Sequence, residues 1–160
     1  MKKIILTLIL FLSVVISGIA QETYDWKKFR IKATVPEGMT VVQNNEDGLV
    51  LSASNFTFGM VPSKGMKQLD KLSDAEIKEL IAEFSKQMKM DTSQLEADEF
   101  ECKNGEGAYF VAPNKEKAGW QSLFAFVGNE KTNKFAIVMM SYEDDMAELA
   151  GQVLGLVEFY

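Results

Sequence analysis

The single cysteine, Cys102, is the side chain with the clearest potential for chemistry, because the 160-residue chain contains no histidine. Three interpretations are open: a reactive thiol, one half of an intermolecular disulfide, or a small apolar residue in a strand. Lys103 is an adjacent positive charge, but alternation along a strand directs it to the opposite face, where it does little to activate the thiol. We therefore predict a buried, free thiol that acts as a small hydrophobe. An intermolecular disulfide stays open as an alternative, because Cys102 lies near a hairpin tip.

The absence of histidine excludes several classes of catalysis. Ser-His-Asp and Cys-His mechanisms both need an imidazole base, and zinc or non-haem iron sites nearly always use histidine ligands. No glycine-rich phosphate-binding motif occurs in the chain. We predict no cofactor and no metal site.

Carboxylates are the remaining candidates for catalysis. Asp98, Glu99 and Glu101 form one group, and residues 143–145 form a second. Strand alternation sends Glu99 and Glu101 to the face opposite Cys102, a pattern typical of a solvated edge strand. The second group is explained by helix-end electrostatics. An enzyme that depends on a carboxylate or on the thiol is therefore kept only as an alternative function.

Aromatic residues carry the binding hypothesis. Trp120, Phe124 and Phe126 lie at even spacing along one strand face, and Tyr109 and Trp26 could extend that surface. Such a set can form an ordinary core, or it can line a pocket for an apolar ligand or a partner's side chain. We predict these five residues as ligand-binding residues.

The first 20 residues have the pattern of a secretory signal peptide. Lys2 and Lys3 precede an apolar run from Ile4 to Leu12, and small residues follow at Gly18 and Ala20. The run is shorter than the roughly 20 residues that span a bilayer. We predict cleavage after Ala20, export to the periplasm or the exterior, and no stable membrane insertion afterwards.

The predicted mature chain, residues 21–160, is acidic. Removal of two lysines from the 17 basic residues leaves 15 against 23 acidic residues, a net charge of −8. Nucleic acids and anionic membranes are bound through clusters of basic residues, so neither is an expected partner. About 140 residues can form one domain with a sufficient core. The oligomeric state is left open.

The first half of the mature chain predicts strands followed by a helix. Alternating apolar residues predict a strand from 24 to 35, which Pro36-Glu37-Gly38 ends. Further strand patterns occupy residues 40–43, 49–53 and 56–61. Ser73 and Glu76 form a capping-box pattern, which predicts a helix over Asp74–Lys89.

The second half predicts four strands and a terminal helix. The strand patterns span residues 95–103, 106–112, 119–127 and 134–142, with Asn104-Gly105 as a two-residue hairpin loop. The last two strands are apolar on both faces, so the sheet needs cover on each side. Ser141 is expected to cap the final helix, in which Gly151 and Gly155 would allow close approach to the sheet. The predicted fold class is α+β, with an antiparallel sheet sandwiched between helices.

This order of elements resembles the PsbP-like α-β-α sandwich fold over nearly all of residues 24–159. The segments that carry the resemblance are FRIKATVPEGM, ELIAEFSKQMKM, and GEGAYFVAP followed by KFAIVMMSYEDDMAELAGQVLGLVEF. Proteins with this fold are mostly noncatalytic accessory or binding proteins, including an extrinsic photosystem subunit, nuclear-import cofactors and bacterial envelope proteins. Metal sites in some members use histidine, so no site residue carries over to this chain.

The resemblance and the excluded chemistries together predict a noncatalytic exported binding or accessory domain. Its expected partner is an envelope protein or a small apolar ligand. A structural or stress-related envelope protein without a small ligand is the other alternative.

Overall fold

The computed structural model describes residues 20–63 and 72–160. The predicted signal peptide lies outside the described residues, apart from Ala20. The elements in chain order are β1 (Gln21–Trp26), β2 (Ile31–Pro36), β3 (Thr40–Asn45), β4 (Gly48–Ser52), β5 (Phe56–Ser63), α1 (Asp74–Gln87), β6 (Glu96–Cys102), β7 (Gly105–Pro113), β8 (Trp120–Asn129), β9 (Lys134–Glu143), α2 (Ala147–Gly155) and β10 (Glu158–Phe159).

A seven-stranded antiparallel sheet forms the centre of the molecule, in the order β3-β4-β5-β9-β8-β7-β6. On one face, α1 packs Leu80, Ile81 and Phe84 against Phe124 and Phe126. On the other face, α2 and a small sheet of order β1-β2-β10 enclose the larger core cluster. The predicted fold class, an antiparallel sheet covered by helices on both sides, is confirmed.

The helix α1 begins as the sequence predicts. The Ser73 hydroxyl accepts a hydrogen bond from the backbone N–H of Glu76 at 3.3 Å, and the Glu76 carboxylate accepts one from the backbone N–H of Ser73 at 2.8 Å. The helix ends at Gln87, two residues before the predicted end, because Lys89 adopts a left-handed conformation with φ 58°.

The predicted continuous strand over residues 24–35 is wrong. The chain turns at Lys27–Arg30, where the Phe29 amide donates to the Trp26 carbonyl at 3.0 Å and Arg30 has φ 56°. The apolar alternation runs through this turn because Phe29 also packs against the core, so the pattern hides the hairpin.

The β6–β7 hairpin has a different register from the predicted one. Cys102 pairs with Gly105 and Phe100 with Gly107, so the turn consists of Lys103 and Asn104 rather than Asn104 and Gly105. A Cβ atom on Gly105 would lie 2.7 Å from the Gly128 carbonyl oxygen. Glycine is therefore needed there for close backbone approach and not for the turn.

The start of the last helix was also predicted wrongly. Ser141 lies inside β9, where it pairs with Ser122 on one side and Thr57 on the other. Strand pairing on both sides extends β9 to Glu143, and a 3-10 turn then leads into α2 at Ala147. No side chain caps this helix start.

Candidate functional site

The predicted aromatic set is divided between the two faces of the large sheet. Trp120, Phe124 and Phe126 share one face of β8, as expected from their spacing. Phe124 is fully buried and Phe126 is 4% exposed, because Phe84 of α1 covers both rings. These two phenylalanines belong to the core under α1.

Tyr109 and Trp26 lie on the side of the sheet opposite to α1. Tyr109 pairs with Ala125, whose side chain points away from those of Phe124 and Phe126. Trp26 lies in β1 and belongs to the core cluster on the α2 side. The structure therefore does not bring the five residues onto one surface.

The α2 side of the sheet contains a groove of about 570 Å³, which we call the α2 groove. It lies between strands β6–β8 of the sheet and α2, and it also reaches the end of β9. Its apolar and aromatic floor consists of Phe100, Tyr109, Val111, Leu123 and Tyr142. A second depression beside β2 and α2 holds only about 10 Å³, roughly the space of one water molecule.

Two glycines form part of the helical wall of the α2 groove. Gly151 and Gly155 are exposed, and a Cβ atom added to either would meet no heavy atom within 4 Å. The predicted close approach of these glycines to the sheet is therefore wrong. Each glycine costs the helix about 1 kcal/mol relative to alanine. What they provide instead is open space beside the groove floor.

Two phenol groups are neighbours on the groove floor. Burial raises the pKa of Tyr142 to about 12, with further contributions from Tyr109 and Asp144. Burial, followed by the charges of Asp98 and Glu96, raises the pKa of Tyr109. Both phenols are therefore neutral at ordinary pH, and each can donate a hydrogen bond to a ligand.

Carboxylates surround the open side of the groove. Glu96, Glu101 and Asp144 are among the lining residues and are exposed, but the register of β6 directs the Glu101 side chain to the opposite face of the sheet. None of the described lining residues is a lysine or arginine. In the described part of the chain, no ion pair involves any of these three carboxylates. Asp144 accepts a hydrogen bond from Gln121 at 2.8 Å, which holds it at the groove end near β8. The groove is apolar below and negatively charged at its margin.

Cys102 carries a free, half-buried thiol that packs against the core cluster. Burial, and to a lesser extent the charge of Glu106, raises the pKa of this thiol to about 12. The thiol is protonated at neutral pH and is a poor nucleophile. This agrees with the interpretation of Cys102 as a small apolar residue.

Metal-ligating side chains do not converge in residues 20–63 and 72–160. Within those ranges no group of three or more cysteine or carboxylate side chains has an arrangement that could hold an ion. Helices in the same ranges are all too short or too polar to cross a membrane.

Comparison with solved structures identifies the architecture. The Ran-binding protein Mog1p of Saccharomyces cerevisiae matches with a TM-score of 0.55 and 11% identity, covering 89% of this chain and 96% of that chain. Cyanobacterial PsbP (CyanoP) of Synechocystis sp. PCC 6803 matches with a TM-score of 0.53 and 14% identity, covering 91% and 96%. This chain has the PsbP/Mog1-like fold. The predicted resemblance is confirmed.

At these identities the likeness establishes the fold alone, and no functional residue transfers from either protein. No protein-family model matches the chain, and comparison with curated sequences gives no significant match. Evidence for a site must therefore come from this chain's own side chains.

Of the predicted site residues, only Tyr109 lies in the α2 groove. Val111, Leu123 and Tyr142 were missed because strand alternation alone does not reveal which face stays uncovered. The glycine pair in α2 was the sequence feature that could have indicated the groove, because two residues that weaken a helix need an explanation other than helix stability. The sequence interpretation, in which they allow contact with the sheet, differs from the structure, in which both face open space.

Proposed function

We propose that this chain is an exported, noncatalytic binding domain and that the α2 groove is its binding site. The observation that carries the proposal is the groove itself, a preformed space of about 570 Å³. Ligand sites usually measure roughly 300–1,000 Å³ and combine an apolar lining with a few polar groups. The expected ligand is an apolar side chain of an envelope protein or a small apolar molecule.

Binding is favoured over catalysis by the state of the groups around the groove. Tyr109 and Tyr142 have raised pKa values and stay neutral, so neither supplies a base at neutral pH. The Cys102 thiol stays protonated, and the chain has no histidine to activate it. These groups can hold a ligand by hydrogen bonds and apolar contact, but they form no nucleophile–base pair.

The fold neighbours support a protein as one kind of ligand. Mog1p is named as a Ran-binding protein, so this architecture can present a protein-binding surface. We extend only that general property to this chain.

Export is proposed from the pattern of residues 1–20. The test is to express the full chain with a C-terminal epitope tag and to sequence the N-terminus of the protein recovered from the envelope and the medium. We expect the chain to begin at Gln21. Recovery of an intact N-terminus from the cytoplasm alone would refute export.

The groove is tested by filling it. N-phenyl-1-naphthylamine, a neutral apolar fluorophore, is titrated into residues 21–160 of the wild type and of Gly151→Leu. We expect saturable enhancement with the wild type, and at least a ten-fold weaker affinity in the variant, because the leucine side chain occupies open groove space.

Gln152→Leu is the matched control. It adds the same side chain one residue along α2, at a position that does not line the groove. Its affinity should equal that of the wild type, and thermal melting should show that both variants are folded. Equal binding by Gly151→Leu and the wild type would show that the α2 groove is not the site.

A further inference from the structure

We propose that the natural occupant of the α2 groove is an extended basic segment of a protein partner, with apolar side chains between its lysines or arginines. This inference rests on the proposed function, because it specifies the ligand of the same groove.

The carboxylates at the groove margin favour a positively charged ligand. Glu96 comes from β6, and Asp144 comes from the turn before α2. Asp98, on the same face of β6 as Glu96, adds a third carboxylate close enough to raise the pKa of Tyr109. Because no described cation pairs with these groups, a basic ligand meets carboxylates that no ion pair already neutralises.

The positions of the carboxylates indicate an elongated ligand. Glu96 pairs with Val111 near the end of the groove where Asp144 and Gln121 lie, and Asp98, two residues along the same face of β6, pairs with Tyr109 of the groove floor. The helical wall from Ala147 to Gly155 is nine residues long, which corresponds to about 12 Å of helix. An extended segment of about four residues spans that length, and its side chains alternate between groove and solvent.

The edge strand β6 favours a peptide over a second copy of this chain. In the described sheet β6 is an edge strand that pairs along its length only with β7, so the same edge of a second copy could approach it. The acidic side chains of β6 would repel an identical acidic edge. A basic segment removes that repulsion and replaces it with attraction.

A small amphiphilic cation is less suited to the same features. One positive charge can pair with only one of these carboxylates at a time, whereas basic residues spaced along a segment can pair with several of them. The groove floor takes the intervening apolar side chains.

The probe is an acetylated and amidated heptapeptide in which lysine and leucine alternate, beginning and ending with lysine. Its binding to residues 21–160 is measured by titration calorimetry, beside the same peptide with glutamate in place of lysine. We expect only the lysine peptide to bind, and its affinity to fall by about ten-fold or more between roughly 0.05 M and 0.5 M salt, because salt screens surface charges.

A charge-neutral variant locates the interaction. Glu96→Gln, Asp98→Asn and Asp144→Asn are combined. Each substitution keeps the side-chain size, and the amide oxygen that Asp144→Asn introduces can still accept a hydrogen bond from Gln121. The matched control combines Asp74→Asn, Glu79→Gln and Glu83→Gln on α1, which covers the opposite face of the sheet. We expect about a ten-fold weaker affinity for the groove variant and little change for the control.

The outcomes separate this inference from the proposed function. Apolar fluorophore binding that depends on Gly151, without lysine-peptide binding, overturns the basic-segment inference and leaves the groove as a site for a small apolar ligand. Equal losses of peptide affinity in the two charge variants also overturn it, because attraction would then be due to net charge. If Gly151→Leu binds both the fluorophore and the lysine peptide as tightly as the wild type, the α2 groove is not the site, and both proposals are overturned.

Discussion

The rings of Phe84 on α1 and Phe124 on β8 stack with their centroids 5.4 Å apart and an interplanar angle of 26°. Phe110 stacks on the same Phe124 ring at 4.9 Å, so Phe124 is enclosed between a helix and a neighbouring strand. This contact closes the α1 face of the sheet and leaves the α2 groove on the opposite face. The two faces of β8 therefore have different roles, the first in the core and the second at the groove floor.

Phe124→Ala should lower the free energy of unfolding by about 3–5 kcal/mol, because it removes a fully buried ring between two stacked partners. Chemical denaturation of residues 21–160 measures the change. Val42→Ala, at a side chain that is 65% exposed, serves as the control and should stay close to the wild type. A loss below about 1 kcal/mol for Phe124→Ala would contradict a core position.

Gly107→Ala should destabilise the fold because the backbones of β7 and β8 approach too closely for a side chain. A Cβ atom at this position would lie 2.1 Å from the Phe126 carbonyl oxygen, so the strands would have to move apart. We expect a loss of about 1–3 kcal/mol in the free energy of unfolding, measured by urea titration. Unchanged stability would show that the two strands are farther apart than described.

Gly151→Ala should have the opposite effect. The new methyl group meets no heavy atom within 4 Å, and alanine is the better helix former. The free energy of unfolding should therefore rise by about 0.5–1 kcal/mol. Alanine substitution at Gly107 and at Gly151 therefore distinguishes a glycine that is sterically required from one that faces open space. A lower free energy of unfolding in Gly151→Ala would contradict the open space beside this residue.

Cys102 should make stability depend on pH in the alkaline range. Its pKa is raised from 9.0 to about 12 on folding, so the unfolded state loses the thiol proton first as pH rises. The stabilising contribution is fully present below pH 9.0 and is lost as pH rises towards about 12. The free energy of unfolding of Cys102→Ala, measured by urea titration at several pH values, should therefore decline less steeply over that interval.

Tyr142 titrates in the same direction, since its pKa rises from 10.0 to about 12, so some alkaline decline should persist in Cys102→Ala. The pH profile of Val42→Ala is the reference for a substitution that leaves both groups in place. Identical slopes for the wild type and Cys102→Ala would mean that the thiol is solvated in the folded protein.

Local sequence patterns correctly predicted the elements whose ends are determined by interactions within the element itself. The Ser73–Glu76 capping box started α1 at the correct residue because both partners lie within one helical turn. Apolar residues on both faces of β8 and β9 correctly indicated cover on each side of the sheet. The sequence predicted the β6–β7 hairpin but not its register. Gly105 is needed for close approach to β8 and β10, and Gly107 for close approach to β8, whereas the turn itself requires neither of them.

The sequence by itself determined the antiparallel α+β class, the absence of histidine chemistry and the acidic net charge of −6. These follow from composition and from periodicity over a few residues. Only the tertiary structure decided that Phe124 lies in the core while Tyr109 lies in a groove, and that Gly151 faces open space. The physical reason is that a strand's alternation gives two faces, but non-local packing of α1 and α2 decides which of them is completely covered.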